Sequence, residues 1–179
     1  MNSLYLAAIV ATLAAVLFVE PLLPLHASAT VPLARWLRNL ALSVLALGVT
    51  LLAPLLFWAV ARALGIQPGW WLQRWGVPVW MQWLATFLVL DGLAYALHRL
   101  SHAVPWLWRL HAVHHSDVEL DATTTHRHHP LENLFVALVT LPVLLLLAPP
   151  VWAVLAYSLT ATLVSTLAHA NLRLPAGLD

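Results

Sequence analysis

The chain has 179 residues, of which 62% are hydrophobic and only 8% are Asp, Glu, Lys or Arg. In a soluble domain roughly a quarter of the residues are charged, so this composition indicates a protein whose main solvent is a lipid bilayer. The formal net charge of +1 argues against nucleic-acid binding. Because cysteine is absent, the sequence excludes disulfides, iron–sulfur clusters and thiol nucleophiles.

The first three apolar segments each predict a transmembrane helix. Spanning a bilayer requires about 20 mostly apolar residues, and residues 3–19, 39–61 and about 78–97 meet or approach that length. The first segment lacks the basic start of a signal peptide and is longer than the apolar part of one. It is therefore interpreted as a membrane helix.

The third segment begins in a tryptophan-rich stretch, GWWLQRWGVPVWMQW. Five of the ten tryptophans lie between residues 70 and 83, which is typical of the aromatic belt at a membrane interface. A packed aromatic core is the alternative interpretation.

The last two apolar segments, LFVALVTLPVLLLLA and VWAVLAYSLTATLVSTLA, are separated by Pro149 and Pro150. Two adjacent prolines favour a tight hairpin of two helices over one long helix. The sequence therefore predicts one all-α integral membrane domain over residues 1–179. We expect about five hydrophobic helices and a histidine-rich helical cap.

The placement of the arginines predicts the orientation. With three spans before the histidine-rich region, the side that carries this region has six arginines, whereas the other side has Arg62 and Arg74. The positive-inside rule then places the histidine-rich cap in the cytoplasm, and the compactness of the chain favours a bacterial inner membrane. The six arginines are Arg35, Arg38, Arg99, Arg109, Arg127 and Arg173.

Eight of the ten histidines lie between residues 98 and 129. His98 and His102 are four residues apart, so on a helix they share one face. The same holds for His111 with His114 and His115, and Pro105 between the two boxes should break the helix and let them fold together.

A third group of histidines follows the two boxes. It comprises His126, His128 and His129, and Pro130 is expected at the first position of the next helix, which leaves His129 at the helix entrance. Adjacent imidazoles cannot all face one centre, so the roles of His126 and His128 stay open. His26, alone in a loop, is interpreted as a hydrogen-bonded polar core residue or an interface residue.

The two spaced boxes predict a metal site. Burying this many imidazoles without a ligand would leave unsatisfied nitrogens that each cost about 1–3 kcal/mol. Neutral imidazole suits Zn, Cu, Fe and Ni, and five spaced imidazoles exceed the four ligands of one tetrahedral ion, which favours two ions. No Glu follows the first His of either box, so an HExxH metalloprotease is excluded. A haem-binding membrane electron carrier stays an alternative, although two histidines on one helix face disfavour it.

The segments HRLSH, PWLWRLHAVHHSD and LDATTTHRHHPLE resemble the fatty acid hydroxylase/sterol desaturase superfamily of integral-membrane di-iron oxygenases. Members carry an HxxxH box, an HxxHH box with Trp three residues earlier, and an arginine with an HPxE segment. The run Asp91, Tyr95, His98 and Arg99 resembles the lead-in to the first box. The similarity spans about residues 91–134, within a hydroxylase-like core of about residues 85–179.

The resemblance implies specific roles for these residues. The implied iron ligands are His98, His102, His111, His114 and His115, to which we add His169, after the helical hairpin, and His129, at the HP position. Asp91 and Tyr95 are predicted to support the ligands by hydrogen bonding. Three alternatives stay open for the acidic residues, which support the ligands in the same way, pair with Arg109 and Arg127, or form a solvated charged face. These residues are Asp117, Glu119, Asp121 and Glu132.

The implied activity is O2-dependent hydroxylation or desaturation of a fatty acyl chain, sterol or related lipid by two non-haem iron ions. The six glycines form no GxGxxG turn, so electrons are expected from a ferredoxin or a cytochrome b5-like donor with its reductase. Members of the superfamily also carry a last HxxHH box beyond the position of His169. We therefore expect either a fragment of a longer enzyme or a non-catalytic membrane subunit that binds metal.

Overall fold

The structure, a computed structural model, describes residues 2–26, 32–67 and 70–173. Seven α-helices follow one another in this part of the chain, and no described residue belongs to a β-strand longer than a single bridge. They are α1 Asn2–Val19, α2 Pro32–Ala63, α3 Trp70–Arg74, α4 Val79–Ala103, α5 Pro105–His111, α6 Pro130–Leu147 and α7 Val151–His169. Single 3₁₀ turns, His114–Ser116 and Ala122–Thr124, lie between α5 and α6.

This architecture confirms the predicted all-α membrane fold. Three helices, α4, α6 and α7, are long and apolar enough to cross a membrane, and α1 and α2 are helical over the two apolar segments that precede them. The residues at the end of the predicted core, 174–179, lie outside the described part of the chain.

Prolines set the helix boundaries around the histidine-rich region. Pro105 and Pro130 each occupy the first turn of a helix, where the missing N–H costs no hydrogen bond. The predicted division into two helices is also confirmed: α6 ends at Leu147, its C-cap Ala148 has a left-handed φ of 43°, and α7 begins directly after Pro149 and Pro150.

Five of the helices meet the histidine-rich cap at one end of the bundle. Helices α1, α4 and α7 end there, whereas α2 and α6 begin there. Helix α2 packs against α6, and α7 packs against both α1 and α4. The six arginines expected on the histidine side lie at this end, and Arg62 and Arg74 lie at the other. The two sets of arginines thus lie at opposite ends of the bundle, as expected from the sequence. The cytoplasmic location of the cap stays a prediction.

The apolar core is small and lies away from the cap. Phe57, Leu90 and Leu144 form its centre, with Tyr157 packed against them. Such a sparse core suits helices whose outer faces contact lipid, because lipid supplies the apolar surroundings. Trp75, Trp80 and Trp83 are exposed at the end opposite the histidines, which favours the interfacial interpretation over a packed aromatic core. The side chains of Trp70 and Trp71 lie outside the described part.

Candidate metal centre

The break at Val104 brings the two histidine boxes together. Val104 is extended, and α5 starts immediately after it, so the chain turns back across the end of α4. As a result the ring of His111 lies 4.8 Å, between centroids, from the rings of both His98 and His102. The predicted convergence of the two boxes is therefore present in the structure.

Four imidazoles form what we call the four-histidine cluster: His98, His102, His111 and His115. One ring nitrogen from each lies within 4.8 Å of the other three. His111 is buried, whereas the other three rings are exposed on one side. Trp108 stacks on His115 and packs against His102, so an indole covers part of the cluster.

Glu132 fixes the orientation of His111. Its Oε1 lies 2.6 Å from Nδ1 of His111, and both side chains are buried. When Nδ1–H donates to the carboxylate, the lone pair of Nε2 points into the cluster, as in carboxylate–histidine–metal arrangements. There Nε2 lies 3.1 Å from Nε2 of His115.

A second group of imidazoles lies beside the first and is called the His114 group: His114, His128 and His169. The Nε2 atoms of His114 and His169 are 3.1 Å apart, and the ring of His128 stacks on that of His114 at 4.5 Å. Nδ1 of His169 donates to the carbonyl oxygen of Ser165 at 2.8 Å. Nδ1 of His128 lies 3.2 Å from the second oxygen of Glu132, so this carboxylate contacts both groups.

Burial lowers the pKa of several imidazoles in this region. Desolvation, together with the neighbouring imidazoles, lowers the pKa of His114 to about 3 and that of His126 to about 4. The same causes lower the pKa of His115. A neutral imidazole keeps a lone pair for a metal ion, whereas a protonated one has none.

These residues fit bound metal ions. Two nitrogens bonded at about 2.1 Å to one ion lie roughly 3.0–3.4 Å apart in octahedral or tetrahedral geometry, and the two Nε2 pairs are each 3.1 Å apart. Imidazole and carboxylate ligands suit iron among the first-row metals.

The loop that carries the histidines is held by polar side chains from α2. Arg35 is buried and bonds to the carboxylates of Asp117, at 3.3 Å, and Asp121. Asn39 donates to Asp117 at 2.8 Å and to Thr123 at 2.9 Å. Burial raises the pKa of Asp117, but the hydrogen bond from Asn39, the amide of Glu119 and the Arg35 guanidinium outweigh it and lower the pKa overall. We call this network the Arg35 latch.

The chain after α1 is attached to the same loop. Oε1 of Glu20 accepts hydrogen bonds from the backbone amides of Ala122 and Asn171, each at 2.8 Å. Glu20 is buried at the end of an apolar helix. The roles of Glu20, Arg35 and Asn39 were not predicted from the sequence, where their only signal was a polar residue beside or within an apolar segment.

Comparison with known proteins identifies the family. Residues 83–178, about half of the chain, match the fatty acid hydroxylase family. The chain belongs to this family.

Two relatives among the curated proteins are lipid oxygenases. The chain is 38% identical over 104 residues to the ornithine lipid hydroxylase OlsE of Rhizobium tropici, a match that covers 54% of this chain and 31% of the relative. It is 35% identical over 80 residues to alkylglycerol monooxygenase of Xenopus tropicalis, covering 45% and 18%. The matches thus cover less than a third of each relative. No solved structure matches the chain.

The structure brings most of the predicted ligands of this hydroxylase-family chain together. His98, His102, His111 and His115 form one cluster, whereas His114 and His169 form the other with His128, whose role the sequence left open. His129 lies apart from both. Its Nδ1 accepts a hydrogen bond from the amide of Leu131 at 3.2 Å, which caps the start of α6.

The acidic residues divide differently. Glu132 bonds to two histidines, whereas Asp117 and Asp121 bond to Arg35. Asp117 also lies 3.0 Å from Arg127. Pairing with this arginine was the alternative that the sequence left open for the acidic residues.

Asp91 and Tyr95 lie on the exposed surface of α4, and no described contact joins either side chain to a histidine. Asp91 lines a groove between α4 and α7, and the ring of Tyr95 lies under the guanidinium of Arg99. In the described part of the chain, no contact therefore corresponds to the hydrogen bonds predicted from these two residues to the ligands.

Proposed function

We propose that this chain carries the metal centre of an O2-dependent, non-haem di-iron enzyme that hydroxylates a membrane lipid. The observation that carries the proposal is the four-histidine cluster, in which Glu132 orients a buried His111 among three further imidazoles. The family and the names of the two lipid oxygenases support the reaction class. Desaturation is the less favoured outcome, since both relatives are named for oxygen insertion.

Each histidine group would hold one iron ion. The four-histidine cluster would bind one, and His114 and His169 would bind the other, with His128 and Glu132 between them. When bound, the two ions supply the reduction of O2 and the oxidation of a C–H bond. Glu132 holds the proton on Nδ1 of His111, and the carbonyl of Ser165 holds the proton on Nδ1 of His169, so the Nε2 atoms stay free for metal.

The surroundings of the site suit a lipid and an external electron donor. The histidines lie at the ends of membrane helices, where an acyl chain can approach from the apolar side while the cap faces water. A ferredoxin or cytochrome b5-like donor would dock on the cap, whose arginines include Arg99, Arg109 and Arg127. The positive-inside rule supports a cytoplasmic cap, in a bacterial inner membrane.

The test is a metal and product analysis of the full chain purified in mild detergent. We expect about two iron ions per chain, no haem Soret band, and a lipid product heavier by one oxygen when O2 and a reductant system are supplied. Histidine rings that contact one another edge to face leave no slot for a porphyrin. Bound haem, or the lack of any transition metal after iron is supplied, would contradict the proposal.

A non-catalytic metal-binding subunit is the second candidate. It is favoured by the exposure of His98, His102 and His115, which leaves one side of the four-histidine cluster open. It predicts the same iron content but no oxygenated lipid under any supply of reductant, so the product analysis separates the two candidates.

A further inference from the structure

A groove of about 420 Å³ runs between α4 and α7 below the histidines. Its walls are mainly apolar, with Phe87 and Leu88 on α4 and Ala161 and Val164 on α7. Both helices are long and apolar enough to cross a membrane. The groove therefore faces the acyl chains of the bilayer.

Asp91 places a carboxylate in the middle of this groove. It is the central residue of the 25-residue helix α4, and every other Asp, Glu, Arg or His of α4, α6 and α7 lies near the cap. Asp91 is exposed, and no hydrogen bond or ion pair joins it to another described residue. An acidic side chain at this depth costs about 2.5–3.5 kcal/mol on insertion scales and usually marks a binding or transport site.

The groove leads to the proposed metal centre along both of its walls. Asp91 and His98 are two helical turns apart, so they share a face of α4 and are separated by about 10 Å along its axis. On α7, Ser165 lines the groove and its carbonyl accepts the hydrogen bond of His169. An occupant of the groove would therefore extend towards both histidine groups.

The polar groups of the groove are an acceptor and hydroxyls. Besides Asp91, the walls include Tyr157, Thr160 and Ser165. A ligand that satisfies Asp91 must donate a hydrogen bond, and at this depth a hydroxyl is far cheaper to bury than a cation. The lining thus suits an apolar chain with a hydroxyl group part-way along it.

We infer that the groove between α4 and α7 binds a lipid chain that carries a hydroxyl group, with Asp91 accepting the hydroxyl hydrogen bond. That this lipid is the substrate rests on the proposed function. Its binding requires neither metal nor turnover, so the two ideas can fail separately.

Photolabelling of the full chain in lipid nanodiscs tests the inference. The probes are two C18 fatty acids with a diazirine and a terminal alkyne, identical except that one carries a mid-chain hydroxyl. We expect the hydroxylated probe to label α4 near residues 87–94 and α7 near residues 157–165 at about a tenfold lower concentration than the plain probe, since only this probe can donate a hydrogen bond to Asp91. Equal labelling by both probes, or labelling elsewhere, would overturn the inference. So would a groove that neither probe reaches, because another segment or a second copy would then cover it.

Variants assign the preference to the carboxylate. Asp91→Leu should label equally with both probes. Asp91→Asn, which keeps an acceptor and the side-chain shape, should retain a few-fold preference and provides the test should the leucine variant fail to fold. Leu138→Phe, on the exposed face of α6, is the matched control and should label as the unaltered chain does. A tenfold preference that survives in Asp91→Leu would refute the role of Asp91.

The double variant His98→Ala/His102→Ala separates this inference from the proposed function. It should lose about one of the two iron ions, with the activity that depends on both, and keep the probe preference. A probe preference without any oxygenated lipid would contradict the proposed function and support lipid binding in the groove. Oxygenated lipid without a probe preference would support the proposed function and contradict lipid binding by Asp91.

Discussion

Glu132 accepts the Nδ1–H of His111 at 2.6 Å through one oxygen, while its other oxygen lies 3.2 Å from Nδ1 of His128. One carboxylate at the start of α6 therefore orients imidazoles from both histidine groups. The contact places a carboxylate beside two imidazoles, where it strengthens them as ligands.

Replacing Glu132 should weaken metal binding. Glu132→Ala is expected to lower iron affinity by about 10–100-fold, since partners of ligating histidines typically contribute that much. Glu132→Gln keeps a carbonyl acceptor for His111 and should lose less. Competition with a coloured chelator measures the affinity, and His26→Ala, outside both groups, is the control. Unchanged affinity in Glu132→Ala would contradict this role.

The two histidine groups should hold their ions separately. His102→Ala is expected to lower iron from about two ions per chain to about one, His169→Ala to do the same, and the double variant to remove nearly all of it. Elemental analysis of the purified protein gives the count, with His26→Ala as a matched control outside both groups. Loss of both ions from either single variant would show one coupled centre instead of two sites.

The Arg35 latch should contribute to stability. Arg35→Leu leaves Asp117 and Asp121 without their buried cation, and breaking such a pair costs about 3–5 kcal/mol. Arg35→Lys should recover only part, because an ammonium cannot replace the guanidinium fork. Denaturant unfolding in detergent measures the change. Arg38→Leu, exposed three residues later, should change stability by less than about 0.5 kcal/mol. Equal effects at the two arginines would refute the latch.

The metal-free protein should lose stability on acidification. The pKa of His114 is about 3 and that of His126 about 4 in the folded chain, against 6.5 for a free imidazole. Between about pH 6.5 and 4 the unfolded chain therefore binds more protons, and the free energy of unfolding falls as the pH falls. Thermal unfolding at pH 7 and pH 4.5 measures this, and His126→Asn should show a smaller pH-dependent drop. A midpoint that is constant or rises towards pH 4.5 would contradict it.

Local patterns in the sequence were sufficient to predict the membrane helices and the pairing of His98 with His102. The spacing of His98 and His102 requires a shared face on any helix. Pro105 and Pro130 begin helices because a proline in the first turn loses no hydrogen bond, whereas Pro142 lies inside α6. The apolar composition likewise required a bilayer, because so few charged residues cannot cover a soluble surface.

Tertiary structure alone decided which imidazoles share a centre and what holds them. His114 and His115 are neighbours in sequence, yet they point into different groups because successive residues on a 3₁₀ turn diverge by about 120°. Glu20, Arg35 and Asn39 reach the histidine loop from segments about 80–100 residues earlier in the chain. Such partners are chosen by how the helices pack, a long-range outcome that leaves no periodic or spaced signal in the sequence.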